Sequence, residues 1–478
     1  MSGAENTSGP HIGIVGGGLA GLAAAVALAE RGFEITLFEA RRQLGGRTGS
    51  FRDTASDAWV DHCQHVSLGC CTNLADFCRR TGLAELLRQD KTLHFFGPDG
   101  RQYDVGAGRL LPAPMHLLPA LLRLKYLSLR ERIGIIRAMR KLARTSAEDD
   151  PQGLTIGPWL RAHGQSERAI ELFWTPVIVS ALSETLERAA VPPVRKVFVD
   201  AFLGDRRGFE LQVPRVPLGE FYGERLERWL AQHGVLVRLE CPIKQICGDA
   251  GGVKEVELGS DERLQFDAVV VAVPWRRVGE LIGEPLRRAL PELGMIDQFE
   301  SAPISAVHLW FDRAITDLPH AVLPGRLSQW VFNHGAQRQA NALNEVQEQS
   351  YYYQVVISAS REVEAQPRDE VIARVREELA EVWPAVSQAK LLQARLITQQ
   401  HSVFSPLPGS ERLRPKQQSS VSNLFLAGDW TATGWPATME GAVRSGYLAA
   451  EVLLSRFGRP ERILANDLRR PWLARWLI

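Results

Sequence analysis

The first apolar block, Ile12 to Val15, is short and continuous, which reads as a buried strand. Residues 19–30 follow, dominated by Ala and Leu without a polar stripe, and predict a helix covered on all sides. Gly32 ends that helix, and Phe33 to Phe38 reads as a second strand closed by Glu39. Strand, helix and strand in this order predict a parallel βαβ unit. Near the other end, Asn423 to Ala427 is a short apolar strand, and residues 439–455 read as a helix. Between them, Gly219 to Gln232 is helical, Gly234 to Leu239 strand-like, and Phe266 to Pro274 a buried strand stopped by proline. Ile304 to Phe311 and Tyr351 to Ser358 are strand-like, and residues 367–382 are helical. Residues 106–212 are helical and rich in Leu and Arg. No internal repeat or low-complexity tract interrupts the pattern.

The turn between the first strand and helix carries chemistry. Gly16, Gly18 and Gly21 give GxGxxG in register with the strand and helix. Gly16 permits the tight turn, Gly18 lets a pyrophosphate approach the backbone, and Gly21 allows close helix–strand packing. Phosphates would meet the helix N-terminus, and Glu39 can accept hydrogen bonds from ribose hydroxyls. The expected fold is α/β. A discontinuous, Rossmann-like dinucleotide-binding domain spans 1–105, 213–285 and 395–478. An interleaved α+β substrate domain spans 106–212 and 286–394.

Composition narrows the class. The 478 residues exceed one simple core, and the hydrophobic share of 45% is that of an ordinary globular protein. With 56 basic and 55 acidic residues, nothing pulls the chain as a whole toward nucleic acid. Residues 1–10 have no signal-peptide core, and no run approaches the roughly 18 apolar residues of a membrane span. Six cysteines in this length are not a disulfide scaffold, so a cytoplasmic setting is the expectation, with attachment to the inner membrane face left open.

The residues after Glu39 choose the nucleotide. Gly45-Gly46-Arg47 could close a second loop over phosphate or a flavin edge. With the strand ending in Gly428-Asp429 and the helix entered at Met439, the chain resembles the flavin amine oxidase and phytoene desaturase superfamily, flavoproteins of the GR2 type. The resemblance implies noncovalent FAD. Asp429 would bind the ribityl chain, the helix N-terminus at Met439 would face the isoalloxazine pyrimidine end, and the backbone at Ile243 would touch adenine. The two signatures lie about 380 residues apart, and a flavin-length ligand bridging both accounts for them together. No cysteine follows Cys247, so the C-terminal cysteinyl-flavin linkage of some relatives is impossible.

Residues 60–78 hold four cysteines, Asp61, His62 and His65. The cysteine spacing, Cys63-x6-Cys70-Cys71-x6-Cys78, is not that of paired C-x2-C zinc ligands, and Cys78 falls on the apolar face of a helix over 72–80. No metal is expected. The stretch reads instead as the lining of a cleft. Asp61-His62-Cys63-Gln64-His65-Val66, Leu68-Gly69 and Thr72-Asn73-Leu74 resemble the hydroxysqualene dehydroxylases, also described as squalene-associated FAD-dependent desaturases. That family usually has Asn-Gly where His62-Cys63 stand here. Residues 302–313, 404–409 and 428–446 resemble it as well, while 106–212 and 330–350 carry the likeness least.

That resemblance implies reduction of hydroxysqualene to squalene in squalene and hopanoid biosynthesis. A C–OH bond is replaced by C–H with hydride from reduced flavin. Hydroxide is a poor leaving group, so an acid must protonate the oxygen as the bond breaks. Asp61, His62 and His65 are the candidate acids, each with a plain structural alternative as turn or core residue. Upstream squalene-pathway synthases are expected partners. Rival readings are a carotenoid-type desaturase, an amine oxidase, a non-redox flavin isomerase, and a non-enzymatic prenyl-lipid escort protein similar to GDP-dissociation inhibitors. Amine-oxidising relatives place a lysine near flavin N5 in the central strand, and Pro303 to Phe311 has none.

A long hydrocarbon barely dissolves in water, so exchange with a bilayer is expected. Residues 110–130 are apolar with prolines and then turn basic. Over 109–144 nine basic residues, from Arg109 to Arg144, face Glu131 alone, a net +8. The chain ends in Leu468 to Ile478, mixing Trp, Leu and Arg. The alternatives are a core role for 110–130 and packing of the tail on a neighbouring subunit.

Overall fold

Five parallel strands form the centre of the nucleotide-binding half, in a computed structural model that describes residues 9–53, 59–108, 110–145, 153–339 and 348–478. Their order across the sheet is Val235–Arg238, Glu34–Phe38, His11–Val15, Ala268–Val271 and Leu424–Leu426. Ile14 stands opposite Leu37 on one side and Val270 on the other. The strands are apolar on both faces because a layer covers each face. Helices Leu19–Ala29 and Met439–Arg456 cover one face. The other meets a three-stranded antiparallel sheet, Ile243–Asp249, Gly252–Leu258 and Arg263–Leu264, through Ile246, Val256 and Leu258.

The alanine-rich character of the first helix has a packing reason. Every residue from Leu19 to Leu28 is buried. Small side chains let the long helix Met439–Arg456 approach closely. A Cβ on Gly446 would stand 2.2 Å from the Ala20 carbonyl oxygen. Both helices therefore start at the same end of the sheet, with their N-termini beside the glycine turn.

The second half is built on a seven-stranded sheet. Its order is Leu391–Phe404, Ser301–Phe311, Glu348–Ser358, Trp330–Gln339, His320–Val322, Thr92–Phe96 and Gln102–Gly106. Neighbours are antiparallel except His320–Val322 beside Thr92–Phe96. Helix Arg368–Val382 buries Val371, Val375 and Leu379 against Val307, Leu309 and Tyr353 on one face. A helical layer lies on the other side, with helices Leu129–Arg144, Thr175–Leu182 and Val191–Val197 around Trp174, Ile178 and Phe198. The last of these runs directly into a π-helical turn, Phe198–Leu203.

The α/β architecture follows the expected pattern, with different seams. Thr92–Phe96, most of Gln102–Gly106 and the end of Leu391–Phe404 fall inside segments that the alternation of elements assigned to nucleotide binding. They hydrogen-bond into the seven-stranded sheet instead. Long-range pairing joins strands more than 200 residues apart, such as the parallel pair His320–Val322 and Thr92–Phe96, and alternation along the chain carries no trace of it. Gly219 to Gln232 is helical in two forms, a π turn Gly219–Glu224 and an α-helix Arg225–Gln232. All six cysteines are free thiols, and helix Thr72–Arg80 buries Leu74, Phe77 and Cys78. Among the described residues no His/Cys/Asp/Glu group is arranged to hold a metal, and no helix is long and apolar enough to cross a membrane.

Candidate active site

One cavity of about 760 Å³ runs from the glycine turn into the space between the helical layer and the seven-stranded sheet. Gly16, Gly18, Glu39, Arg47, Ile243, Asp429 and Met439 all line it. Gly21 stands behind the wall, where a Cβ would sit 2.0 Å from the Gly16 carbonyl oxygen. Gly16 has φ +112°, and its amide donates to the Phe38 carbonyl at 2.8 Å.

The nucleotide end is made mostly of backbone. Gly18 has an extended conformation, φ −78° and ψ 174°, and a Cβ there would meet nothing nearer than 4.0 Å, at Gly46. No side chain caps the helix that begins at Leu19, so its first amides are free for a phosphate. Glu39 accepts from the amides of Gly17 and Arg41, each at 2.9 Å. A carboxylate has about four acceptor positions, so two remain for ribose hydroxyls.

The middle of the cavity is held by paired charges. Arg47 ion-pairs with the buried Asp429 at 2.6 Å and donates to the Ser402 carbonyl at 2.6 Å, joining the two signature motifs. The loop 429–435 is organised by Arg414, which is buried. Its guanidinium donates to the carbonyls of Asp429 (3.0 Å), Thr431 (2.9 Å) and Trp435 (2.7 Å), and to the Thr433 hydroxyl (2.9 Å). Five N–H donors in a rigid fork suit Arg to this task, and Lys could not replace it. Sequence reading missed Arg414, because a single arginine in a polar stretch carries no periodic or motif signal.

Beyond Met439 the cavity becomes apolar. Leu93, Phe95, Val177, Phe202, Trp330 and Phe332 line this arm. The Trp330 indole N–H is satisfied by the Ser180 hydroxyl at 2.7 Å, so the ring adds apolar surface without an orphaned donor.

The three candidate acids do not share this cavity. Asp61 and His62 lie behind its wall. The Asp61 carboxylate accepts from the Ser50 hydroxyl at 2.5 Å and the Leu218 amide at 2.8 Å, and so holds the turn entering Gly219–Glu224. Burial pushes its pKa up to about 6, against the lowering effect of those two hydrogen bonds. His62 Nδ1 lies 2.8 Å from the Gly49 carbonyl, and its ring meets Phe51 edge-on.

His65 lines the cavity. Burial pushes its pKa down to about 4, so the ring is neutral at pH 7. Its Nδ1 is 2.9 Å from the Cys63 carbonyl, an acceptor only, so Nδ1 carries the proton and Nε2 is a bare acceptor. Cys63 also lines the cavity, as a neutral thiol raised to about 12 by burial. A group unforeseen from sequence stands in the same wall. Lys196 Nζ is 4.5 Å from the Trp435 ring centroid and 2.5 Å from Asp200 Oδ2. It lies in a stretch without motif, and one lysine in a leucine-rich helical segment gives no cue.

A Rossmann-like sheet, two glycine turns and an acid-ended strand on one cavity define a nucleotide-dependent oxidoreductase. The flavin containing amine oxidoreductase family model matches residues 19–454, and the chain belongs to that family. It is a flavoprotein enzyme with FAD as cofactor, and the uncapped helix, Glu39 and Asp429 suit that group. The chain is 28% identical to a hydroxysqualene dehydroxylase of Sinorhizobium fredii over 93% of this chain and 98% of that protein. It is 26% identical to a 15-cis-phytoene desaturase of Solanum lycopersicum over 95% of this chain and 80% of that one. The solved cyclohexylamine oxidase of Brevibacterium oxydans has the same fold, with TM-score 0.69, 17% identity, and 94% of this chain and 100% of that chain covered.

Two predictions follow from these positions. Gly18→Val should fold but lose FAD, because its side chain would project into the open space of the cavity, where a phosphate would have to approach the backbone. Gly21→Ala should fail to fold, because its methyl meets the Gly16 carbonyl. Flavin released per mole of protein, together with circular dichroism, separates the two outcomes.

The second concerns pH. Asp61 titrates near 3.8 in the unfolded chain and near 6 when folded. Below 3.8 both states are protonated, so the neutral, favourable form persists. As pH rises through 6, the buried group must ionise and that stability is lost. Asp61→Asn keeps an acceptor for Ser50 and Leu218. It should gain about 2–3 kcal/mol on wild type at pH 8, from two pKa units, and lose that gain toward pH 4. Urea unfolding at both pH values checks it.

Proposed function

We propose that this flavoenzyme reduces hydroxysqualene to squalene, with FAD held noncovalently. The observation that carries the reading is the continuity of the nucleotide cradle with an apolar arm lined by Phe95, Trp330 and Phe332. A long isoprenoid fits such an arm, and a small polar amine does not. FAD, once reduced, supplies the hydride. The chain positions the alcohol, keeps water from the reacting carbon and delivers a proton to the departing oxygen. Motif agreement at 61–74, 302–313 and 428–446 favours the dehydroxylase over other members of the family. The relatives named phytoene desaturases support a second reading, oxidation of a polyene, which the same arm would accommodate.

Anaerobic reduced enzyme mixed with hydroxysqualene should reoxidise as squalene appears by mass spectrometry. Flavin that stays reduced with hydroxysqualene, while oxidised enzyme desaturates a polyene, assigns the desaturase activity instead.

Delivery of such a substrate favours a membrane surface. Leu129, Ile133 and Ile136 form an exposed stripe on helix Leu129–Arg144, flanked by Arg130, Arg132 and Arg137. Leu110 is 94% exposed, and Trp472 and Trp476 of the C-terminal helix Trp472–Leu477 are 76% and 75% exposed. Arg206 bonds the Leu111 carbonyl, and Arg470 pairs with Asp200 at 3.3 Å, so both apolar projections are anchored to residues 200–206. Arg109, counted in the basic run, lies outside the described residues. Each basic side chain near an anionic surface adds about 1 kcal/mol. Wild-type protein should co-sediment with anionic vesicles and be released by salt. Trp472→Ser/Trp476→Ser and Arg130→Glu/Arg137→Glu should each weaken binding at least tenfold. Wild-type protein left in the supernatant at low salt requires delivery by a carrier or partner enzyme.

A further inference from the structure

The proposed reaction needs a proton at the alcohol oxygen, and the candidates read from sequence do not supply it. Asp61 and His62 are outside the cavity wall. His65 reaches it as a neutral ring whose remaining nitrogen, Nε2, can only accept. The wall arginines, Arg41, Arg47 and Arg277, hold their protons at any working pH. Glu440, also in the wall, receives the amides of Asn73 (3.1 Å) and Leu74 (2.8 Å) and the Arg444 guanidinium (2.7 Å), so it is an acceptor already engaged.

Resting on that reaction, we propose that Lys196 is the proton donor to the substrate oxygen, positioned by Asp200 and by the face of Trp435. Lys196 closes helix Val191–Val197, and Asp200 lies one turn on, in the π-helical segment Phe198–Leu203. The wider turn is a rare geometry that recurs at functional sites. Both side chains line the cavity. An ammonium carries three donors. One meets Asp200 Oδ2 at 2.5 Å, and Nζ stands 4.5 Å over the Trp435 ring, which leaves a donor for a ligand oxygen. Trp435 lies four residues before Met439, and Pro436, Ala437 and Thr438 continue the same wall, so the cation stands beside the entrance to the long helix.

Arg470 supports the transfer. It pairs with Asp200 Oδ1 at 3.3 Å, so the carboxylate keeps a cationic partner after Lys196 has given up its proton. The balance is simple. The C–O bond breaks, its electron pair leaves with oxygen, and the Lys196 proton completes water. Hydride from the reduced cofactor forms the new C–H bond, and the cofactor is left oxidised. The neutral amine regains a proton from solvent.

The test uses holoenzyme reduced anaerobically and mixed once with hydroxysqualene. Lys196→Met should retain FAD and slow flavin reoxidation by about 10²–10⁴-fold. Lys196→Arg keeps the charge, the ion pair and the ring contact, yet it has no proton to give, so it should be as slow as Lys196→Met. Arginine that restores the rate shows a fixed charge and overturns proton donation. Lys196→Met at wild-type rate overturns the inference while leaving the dehydroxylase reading intact. Wild-type enzyme inert toward hydroxysqualene overturns both. A readout independent of turnover is labelling of Lys196 by a small amine-reactive reagent, followed by mass spectrometry. Hydroxysqualene should protect Lys196 and squalene should not, and equal protection by the two contradicts a contact with the oxygen.

Discussion

No side chain fits where the first helix meets the glycine turn and the long C-terminal helix. A Cβ at Gly21 would lie 2.0 Å from one carbonyl oxygen, and a Cβ at Gly446 would lie 2.2 Å from another. This exclusion sets the distance between helices Leu19–Ala29 and Met439–Arg456 and brings both N-termini to one end of the parallel sheet. Interiors pack at near-crystalline density, so the crossing cannot relax to admit a methyl without moving a backbone. The cavity floor is consequently made of amides and glycines. Arg47 and Asp429 reach the cavity from loops above that floor.

The βαβ unit was legible because its signals are local. A strand, a glycine turn and an alanine-rich helix occupy successive residues, and each has its own periodicity. The short strand Leu424–Leu426 and the helix after it were legible for the same reason. The seams between the two halves were not. Strands Thr92–Phe96 and Leu391–Phe404 find their partners by long-range pairing, parallel for the first and antiparallel for the second, which alternation of elements along the chain does not encode. The cysteine-rich stretch over 60–78 shows a finer limit. Asp61 and His65 are four residues apart, yet the chain leaves strand Trp59–Asp61 through an irregular turn. Asp61 is left behind the wall while Cys63, Gln64 and His65 face the cavity. Arg414 and Lys196 were invisible because their meaning lies entirely in what the fold brings to them.

Much of the charge at this cavity is held in pairs. Arg47 with Asp429, Lys196 with Asp200 and Arg444 with Glu440 each satisfy one another at the wall. Burying two ions costs more than their attraction returns unless further hydrogen bonds complete both partners. Further hydrogen bonds reach two of these pairs, from Arg47 to the Ser402 carbonyl and from the amides of Asn73 and Leu74 to Glu440. Such pairs are poor sources of stability and good sources of fixed orientation. They stand between a polar nucleotide end and an apolar arm, where a substrate would have to be held in one register.

That division of the cavity bears directly on the chemistry proposed for it. Loss of hydroxide from an allylic alcohol passes through a carbon centre that water would capture. A wall of Leu93, Phe95, Phe202, Trp330 and Phe332 offers that centre no nucleophile. The neutral His65, whose Nε2 is free to accept, can orient a hydroxyl by accepting a hydrogen bond from it and still leave the oxygen lone pairs for a donor elsewhere. A lone carboxylic acid would need burial to remain protonated at neutral pH, and burial would remove it from the substrate, as it has for Asp61. A lysine escapes that conflict. Its Nζ is held by the ion pair with Asp200, it can stand at the edge of an apolar arm, and its proton leaves only when an oxygen becomes basic enough to take it. The acid and the dry arm can then share one cavity without either undoing the other.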